Sequence, residues 1–284
     1  MTEPLKRVLV AHAKDTFQSQ SYLSANWSKY SYKNEPNYAR ACIESDRFID
    51  LLEKNGAIVE VLPAENCAGM DSLYVHDPVV TLPSGFGLCR MGKNLRTGEP
   101  EAVKGWLESK GLTIKGAIAS PGKLEGGDVV WLLPSLAAVG IGYRSNLEGI
   151  RQLSEMCEST SLEIMPVHLP HYNGPADVLH LMSLISPVAD RVLLVHSRLM
   201  PVTTRQRILD EGFTLIEVPE SEYNTMGCNV LSLGNGKCLI EQQNQKTAAL
   251  LSKNGLHVLT YDGTNISHPG EGGPTCLTRP LLRG

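Results

Sequence analysis

"DVVWLLPSLAAVGIG", residues 128–142, decides the fold. An acidic residue heads an apolar strand, Pro134 and Ser135 turn the chain, and a second apolar strand returns. The same plan stands in "DPVVTLPSGFGLCRMG" from Asp77, "HLMSLISPVADRVLLV" from His180 and "NVLSLGNGKCLIE" from Asn229. The heads at 77, 128, 180 and 229 lie 51, 52 and 49 residues apart, and Cys276 in "GGPTCLTRPL" (272–281) follows after 47 more. A period of this size predicts repeated supersecondary units in an array or a closed ring. In a closed ring the five heads meet near the axis, and the C-terminal strand docks beside the N-terminal one.

The rest of each unit reads as strand and helix. "RVLVAHA" (7–13), "AIVEVLP" (57–63), "RVLLVHS" (191–197) and "TLIEVP" (214–219) are short, β-branched and bounded by breakers, so they predict strands. "NYARACIESDRFIDLLEKNG" (37–56) and "NLEGIRQLSEMCES" (146–159) space apolar residues at three and four, and the first ends in Asn-Gly, a helix stop. The chain is therefore α/β, expected as one catalytic domain over 1–284.

Composition narrows the function. The chain has 284 residues, 42% hydrophobic and 20% charged, with a formal charge of −4. Its cations are scattered, so nucleic acid is not an expected partner. "MTEPLKRVLVAHAKD" lacks a signal-peptide pattern and no apolar run suggests a membrane span, which predicts a cytoplasmic protein without a membrane partner. The seven cysteines are irregularly spaced and form no C-x-x-C, so reduced thiols and no cysteine-built zinc site are expected. "HLPH" (168–171) has metal-compatible spacing but no neighbouring carboxylate or thiol, and neither metal nor cofactor is expected. A homodimer is an admissible assembly.

Chemistry concentrates at the repeat heads. Cys276 is a candidate nucleophile, set among Gly270, Gly272 and Gly273, which permit close backbone approach. His180, in register with it, is the candidate proton-transfer group, with His268 its nearest rival in sequence. Glu125 and Asp128 flank two glycines in "LEGGDVV", and Asp71 and Asp77 stand six apart in "MDSLYVHDPVV". Carboxylates converging on a Cys and a His predict a pocket for a cation, and a planar guanidinium, which carboxylates bind in bidentate fashion, fits best.

Taken in order, "DPVVTLP", "LRTGE", "LEGGDVV", "YRSN", "LHLMS", "GCNVLSL" and "GGPTCLTRPL" resemble the guanidino-group-modifying enzymes. That superfamily contains arginine deiminases, amidinotransferases and dimethylarginine dimethylaminohydrolases, and the short chain looks closest to the last. The resemblance implies a five-bladed α/β propeller of ββαβ modules with pseudo-fivefold symmetry. It implies that Cys276 attacks the guanidinium carbon, that His180 protonates the departing amine and then activates water, and that Asp77 and Glu125 hold the guanidinium. Asp128 is expected to orient His180, as the third group of a nucleophile-base-orienter chain. Arg96 and Arg144 match positions that hold the α-carboxylate. His76 stands where an acidic residue often faces the substrate's nitrogen substituents, which leaves methylated and unmethylated arginine both open.

The implied reaction is hydrolysis of a (methylated) arginine to citrulline and an alkylamine. Arginine deimination and amidino transfer are alternatives on the same scaffold, and a silent ring that binds cationic amino acids or partners is the non-enzymatic one. The polar, aromatic segment 27–39 reads either as a lid over the pocket or as a surface loop.

Overall fold

A computed structural model describes residues 2–157, 162–177 and 179–284. The described residues form fifteen strands in five three-stranded sheets. β1 (Leu5–Ala11) runs parallel to β2 (Ile58–Leu62). The next four sheets are consecutive in sequence. They are β3 (Val79–Leu82), β4 (Gly85–Leu88) and β5 (Ile114–Ala117), then β6 (Val129–Leu133), β7 (Leu136–Ile141) and β8 (Glu163–His168). There follow β9 (Ile185–Ala189), β10 (Val192–Val195) and β11 (Thr214–Glu217), and last β12 (Leu231–Gly234), β13 (Lys237–Glu241) and β14 (His257–Tyr261). β15 (Arg279–Arg283) completes the first sheet, pairing antiparallel with β1 through Val8 and Pro280. Each sheet thus has one middle strand, antiparallel to one neighbour and parallel to the other.

A parallel pair needs a crossover, and a helix supplies it in every sheet. The five are α1 (Tyr38–Lys54), α2 (Glu99–Ser109), α3 (Leu147–Met156), α4 (Val202–Asp210) and α5 (Gln245–Lys253). Their ends are legible in the chain: Asn37 and Asn146 accept from Arg40 N and Gly149 N as N-caps, and α1 stops at Asn55-Gly56, where Gly56 takes φ +94°.

The inner strands read as near-continuous apolar runs because both of their faces are largely buried, whereas the outer strands β2, β5, β8, β11 and β14 are partly exposed. Successive residues point into different wedges between blades. Val79 packs with Leu9 and Leu281, whereas Val80 packs with Val129 and Val139. Val130 and Leu193 share a third cluster, Leu194 and Ile240 a fourth, and Leu239 joins Val8 and Val10 in a fifth. Five apolar wedges therefore surround an axis left to polar groups.

The repeat heads tie neighbouring blades at that axis. Gly127 N donates to Asp77 Oδ1 at 3.0 Å, Leu181 N to Asp128 Oδ1 at 3.0 Å, and Thr275 N to Asn229 Oδ1 at 3.0 Å. In the remaining joints Val230 N donates to Ser186 Oγ at 3.2 Å and His76 N to Cys276 O at 3.2 Å. The architecture is a five-bladed α/β propeller closed by β15. Among the described residues no helix is long and apolar enough to cross a membrane.

Candidate active site

Cys276 lies just ahead of β15, in a turn where Leu277 N bonds back to Gly273 O at 3.1 Å. A Cβ on Gly272 would stand 2.1 Å from a Tyr74 ring carbon, and one on Gly273 would stand 2.5 Å from Asn229. Only glycine lets this turn press against both neighbours. Asn229 then holds the nucleophile: its Oδ1 accepts from Thr275 N, and its Nδ2 donates to Cys276 Sγ at 3.3 Å. Burial, with the Asp77 charge nearby, pushes the thiol up to about 11, although the bonds from Asn229 and Gly273 pull the other way.

His180 Nε2 lies 2.8 Å from Glu125 Oε2, and Nδ1 lies 3.9 Å from Asp77 Oδ1. Burial disfavours its imidazolium, but Asp77, Asp128 and Glu125 outweigh that and raise it to about 9. At neutral pH the resting pair is thus a thiol and an imidazolium. No hydrogen bond joins Cys276 to His180 among the described residues.

The carboxylates divide differently from the expectation. Glu125 Oε1 accepts from Gly92 N at 2.9 Å and Lys93 N at 3.2 Å, while Oε2 serves Arg144 Nη1 at 2.9 Å and His180. Its acceptor capacity is spent, so Glu125 is placed to orient His180 and has no lone pair left for a guanidinium. These donors, above all His180 and Arg144, offset burial and hold the carboxyl well below the usual range. Asp128, expected to orient His180, instead accepts from Leu181 N and from Ser145 Oγ at 2.6 Å. It secures the backbone beside His180, and burial raises its carboxyl to about 6.

Asp77 keeps its place in the pocket, with Oδ2 bonded to Arg96 Nη1 at 2.5 Å. Arg96 lines the same recess, yet it is buried, clamps Glu99 through Nε and Nη2, and reaches the Asp71 and Tyr74 carbonyls. A guanidinium so fully occupied supports Asp77 and has no donor pair free for a carboxylate. Arg144 lines the pocket with Nη1 on Glu125. Asp71 also lines it, paired through Oδ2 with Lys93 Nζ at 2.6 Å. Lys93 was not singled out from sequence, since a lysine in a Gly/Asn turn carries no periodic signal.

His76, expected to face the substrate, does not line the recess of Cys276. Its Nδ1 bonds the Thr278 carbonyl at 2.7 Å, and the ring lines a different cavity from that of Cys276. His268 lies 3.2 Å from Glu241 Oε1 and does not line the Cys276 pocket, and His171 of "HLPH" bonds Tyr143 at 2.6 Å. Among the described residues, Asp77, Glu125 and His180 bring ligand-type atoms within 4.8 Å of one another. Arg96 and Arg144 already set guanidinium nitrogens against two of that trio.

Cys276, His180 and Glu271 line both the recess holding Asp71 and Asp77 and a neighbouring cavity of about 130 Å³ bounded by Tyr172, Tyr223 and Met226. Segment 27–39 reaches its mouth. Lys33 N donates to Pro269 O at 2.7 Å, its ammonium meets Glu271 at 2.5 Å, and Tyr32 packs beside Tyr74.

A thiol, an oriented imidazolium and carboxylates with unspent acceptors suit nucleophilic displacement at a planar cation. Comparisons with known proteins point the same way. The family model for eukaryotic N,N dimethylarginine dimethylhydrolase matches residues 13–283. The N(G),N(G)-dimethylarginine dimethylaminohydrolase of Pseudomonas aeruginosa is 25% identical over 248 residues, spanning 87% of this chain and 91% of that one. Its structure with citrulline superposes at a TM-score of 0.77 with 22% identity, covering 99% of this chain and 100% of that one. The N-terminal domain of ArgZ, a cyanobacterial arginine dihydrolase, superposes at 0.80 with 20% identity, covering 98% and 97%.

Proposed function

The chain belongs to the N,N dimethylarginine dimethylhydrolase family, and from that premise we propose that it hydrolyses the guanidinium of a methylated arginine to citrulline and an alkylamine. The observation that carries this is the meeting of Cys276 and His180 with Asp71 and Asp77 in one recess.

The guanidinium enters beside Asp71 and Asp77, whose remaining oxygens accept its N–H groups. Its positive charge beside Sγ favours the thiolate, and the thiol proton leaves to solvent. The thiolate attacks the guanidinium carbon, forming a C–S bond. His180, already protonated and held by Glu125, gives its proton to the departing nitrogen as the C–N bond breaks. The amine leaves, and a thiouronium remains on Cys276. Neutral His180 then takes a proton from water, the resulting hydroxide attacks the same carbon, and the C–S bond breaks to release the thiolate and, once the added hydroxyl has lost its proton to solvent, the ureido product. Arg144 is the arginine left to meet the substrate's α-carboxylate.

A panel of arginine, monomethylarginine and dimethylarginine, assayed for citrulline, tests this. Citrulline from the methylated substrates, lost in Cys276→Ser, is the expected result. A haloacetamidine should also label Cys276 faster than an ordinary thiol. If no guanidine yields a ureido product and Cys276→Ser changes nothing, the reading is wrong. Citrulline and ammonia from arginine alone would make the protein a deiminase.

A further inference from the structure

A second cavity, of about 460 Å³, lies at the opposite end of the strands from Cys276. The repeat heads precede β3, β6 and β15, whereas this cavity is bounded by the far ends of the same strands: Leu82 and Pro83, Leu133 and Pro134, Leu282 and Arg283. Phe86, Trp131 and Leu281 make its wall largely apolar.

Its polar groups are unusual for a buried place. Arg279, 5% exposed, donates to the His76 carbonyl and makes no ion pair among the described residues. Arg283, part-buried, donates to the carbonyls of Glu3 and Ser232, at 2.8 and 2.9 Å, and Glu3 lines the same cavity. Nε of both arginines and Nε2 of His76 are buried without a hydrogen-bond partner. Burial lowers each guanidinium to about 10, countered for Arg283 chiefly by Glu3. Buried charge is ordinarily paired, and Arg279 lines this cavity with no carboxylate at ion-pair distance among the described residues.

We propose that this cavity is a second ligand site, which takes a small carboxylate bearing an apolar body. The carboxylate meets Arg279 and Arg283, and the apolar body lies against Phe86 and Trp131. His76 donates Nδ1–H to the Thr278 carbonyl, so its neutral ring offers Nε2 only as an acceptor. A bridging water or a ligand hydroxyl satisfies that nitrogen, and the carboxylate stays on the arginines. With Glu3 in the same lining the two arginines leave a net charge of one, which suits a monoanion better than a phosphate dianion. The site also touches the catalytic one: a Cβ on Gly126, next to Glu125, would stand 2.5 Å from Arg279 Nη2.

Isothermal titration of the whole protein with hexanoate and 3-phenylpropanoate tests the proposal, with hexanamide and hexylamine as neutral and cationic counterparts. The expected result is saturable binding of the two acids, a higher melting temperature in their presence, and no binding of the amide or amine. Arg279→Gln leaves a hole at the axis, so the discriminating variants are Arg283→Gln and the exposed Leu282→Glu. Each should weaken the acids by about tenfold or more, as loss of a charged partner or gain of a repulsive one demands. Absence of saturable binding overturns the proposal. So does binding that survives both variants but is lost in Arg144→Gln, which would place the acids in the catalytic recess.

Discussion

Glu125, Asp128, Arg96 and Arg144 differ in what they have left to give. Glu125 has every acceptor occupied, whereas Asp128 is bonded to a backbone N–H and a hydroxyl, partners that an amide can keep. Glu125→Gln should therefore lower kcat by about 10²–10⁴, the span of general acid–base catalysis. Asp128→Asn should cost less than about tenfold, under about 1.4 kcal/mol of barrier. Equal losses in steady-state assays would refute the division. Arg96 and Arg144 separate in the same way. Arg96→Gln strands the buried Asp77 and Glu99 and should destabilise the fold by about 3–5 kcal/mol in urea. Arg144→Gln should mainly raise KM; an intact melting temperature with raised KM in Arg96→Gln would return that arginine to the substrate. The pH profile tests the resting protonation state. The reactive form needs a thiolate, favoured above about 11, and an imidazolium, favoured below about 9. In free enzyme and substrate, kcat/KM should rise with pH through neutrality, level near 9 and fall above 11. A profile flat from pH 6 to 9 would show that the thiolate is already present in the free enzyme.

At the scale of elements, the strands and helices were legible because each side of an inner strand faces an apolar wedge, leaving little but turn residues to interrupt those runs. The expected helix 37–56 is α1, Tyr38–Lys54, and "RVLLVHS" contains β10, Val192–Val195. The spacing of the heads was legible too, since each head occupies an equivalent place. Equivalence of place did not carry equivalence of task. Asp77, Asp128 and Asn229 all accept a backbone N–H from the next blade, a bond any small acceptor side chain supplies. Only tertiary contacts reveal that Glu125, three residues ahead of a head, orients the histidine, that Arg96 is enclosed by carboxylates, and that His76 turns toward Thr278. His76 and Asp77 stand in the turn ahead of β3, where no regular period fixes which way a side chain points.

On the scale of the whole molecule, stability depends on closure. β15 contributes Leu281 to the wedge beside β3, and Gly284 N bonds Pro4 O at 3.0 Å across the seam. Removing residues 279–284 exposes the edge of β1 and the apolar side chains beneath it. Circular dichroism and hydrogen exchange should find the truncated chain unfolded or locally open around β1, with loss of activity even though Cys276 remains. Retained cooperative melting at the full-length temperature would show that the ring stands without its seam.

Closure also sets an order in time. A ribosome delivers this protein blade by blade, and domains synthesised first begin to fold first. β1 is made before the other strands of the ring yet waits for β15, and Cys276 is the last of the site residues to be synthesised. The nascent chain therefore carries an unpaired strand edge until β15 is made, and no nucleophile until the other four blades are out. Such a chain cannot consume its substrate before the ring has shut, and its longest exposure to misassembly lies at β1, the edge that a chaperone would have to guard.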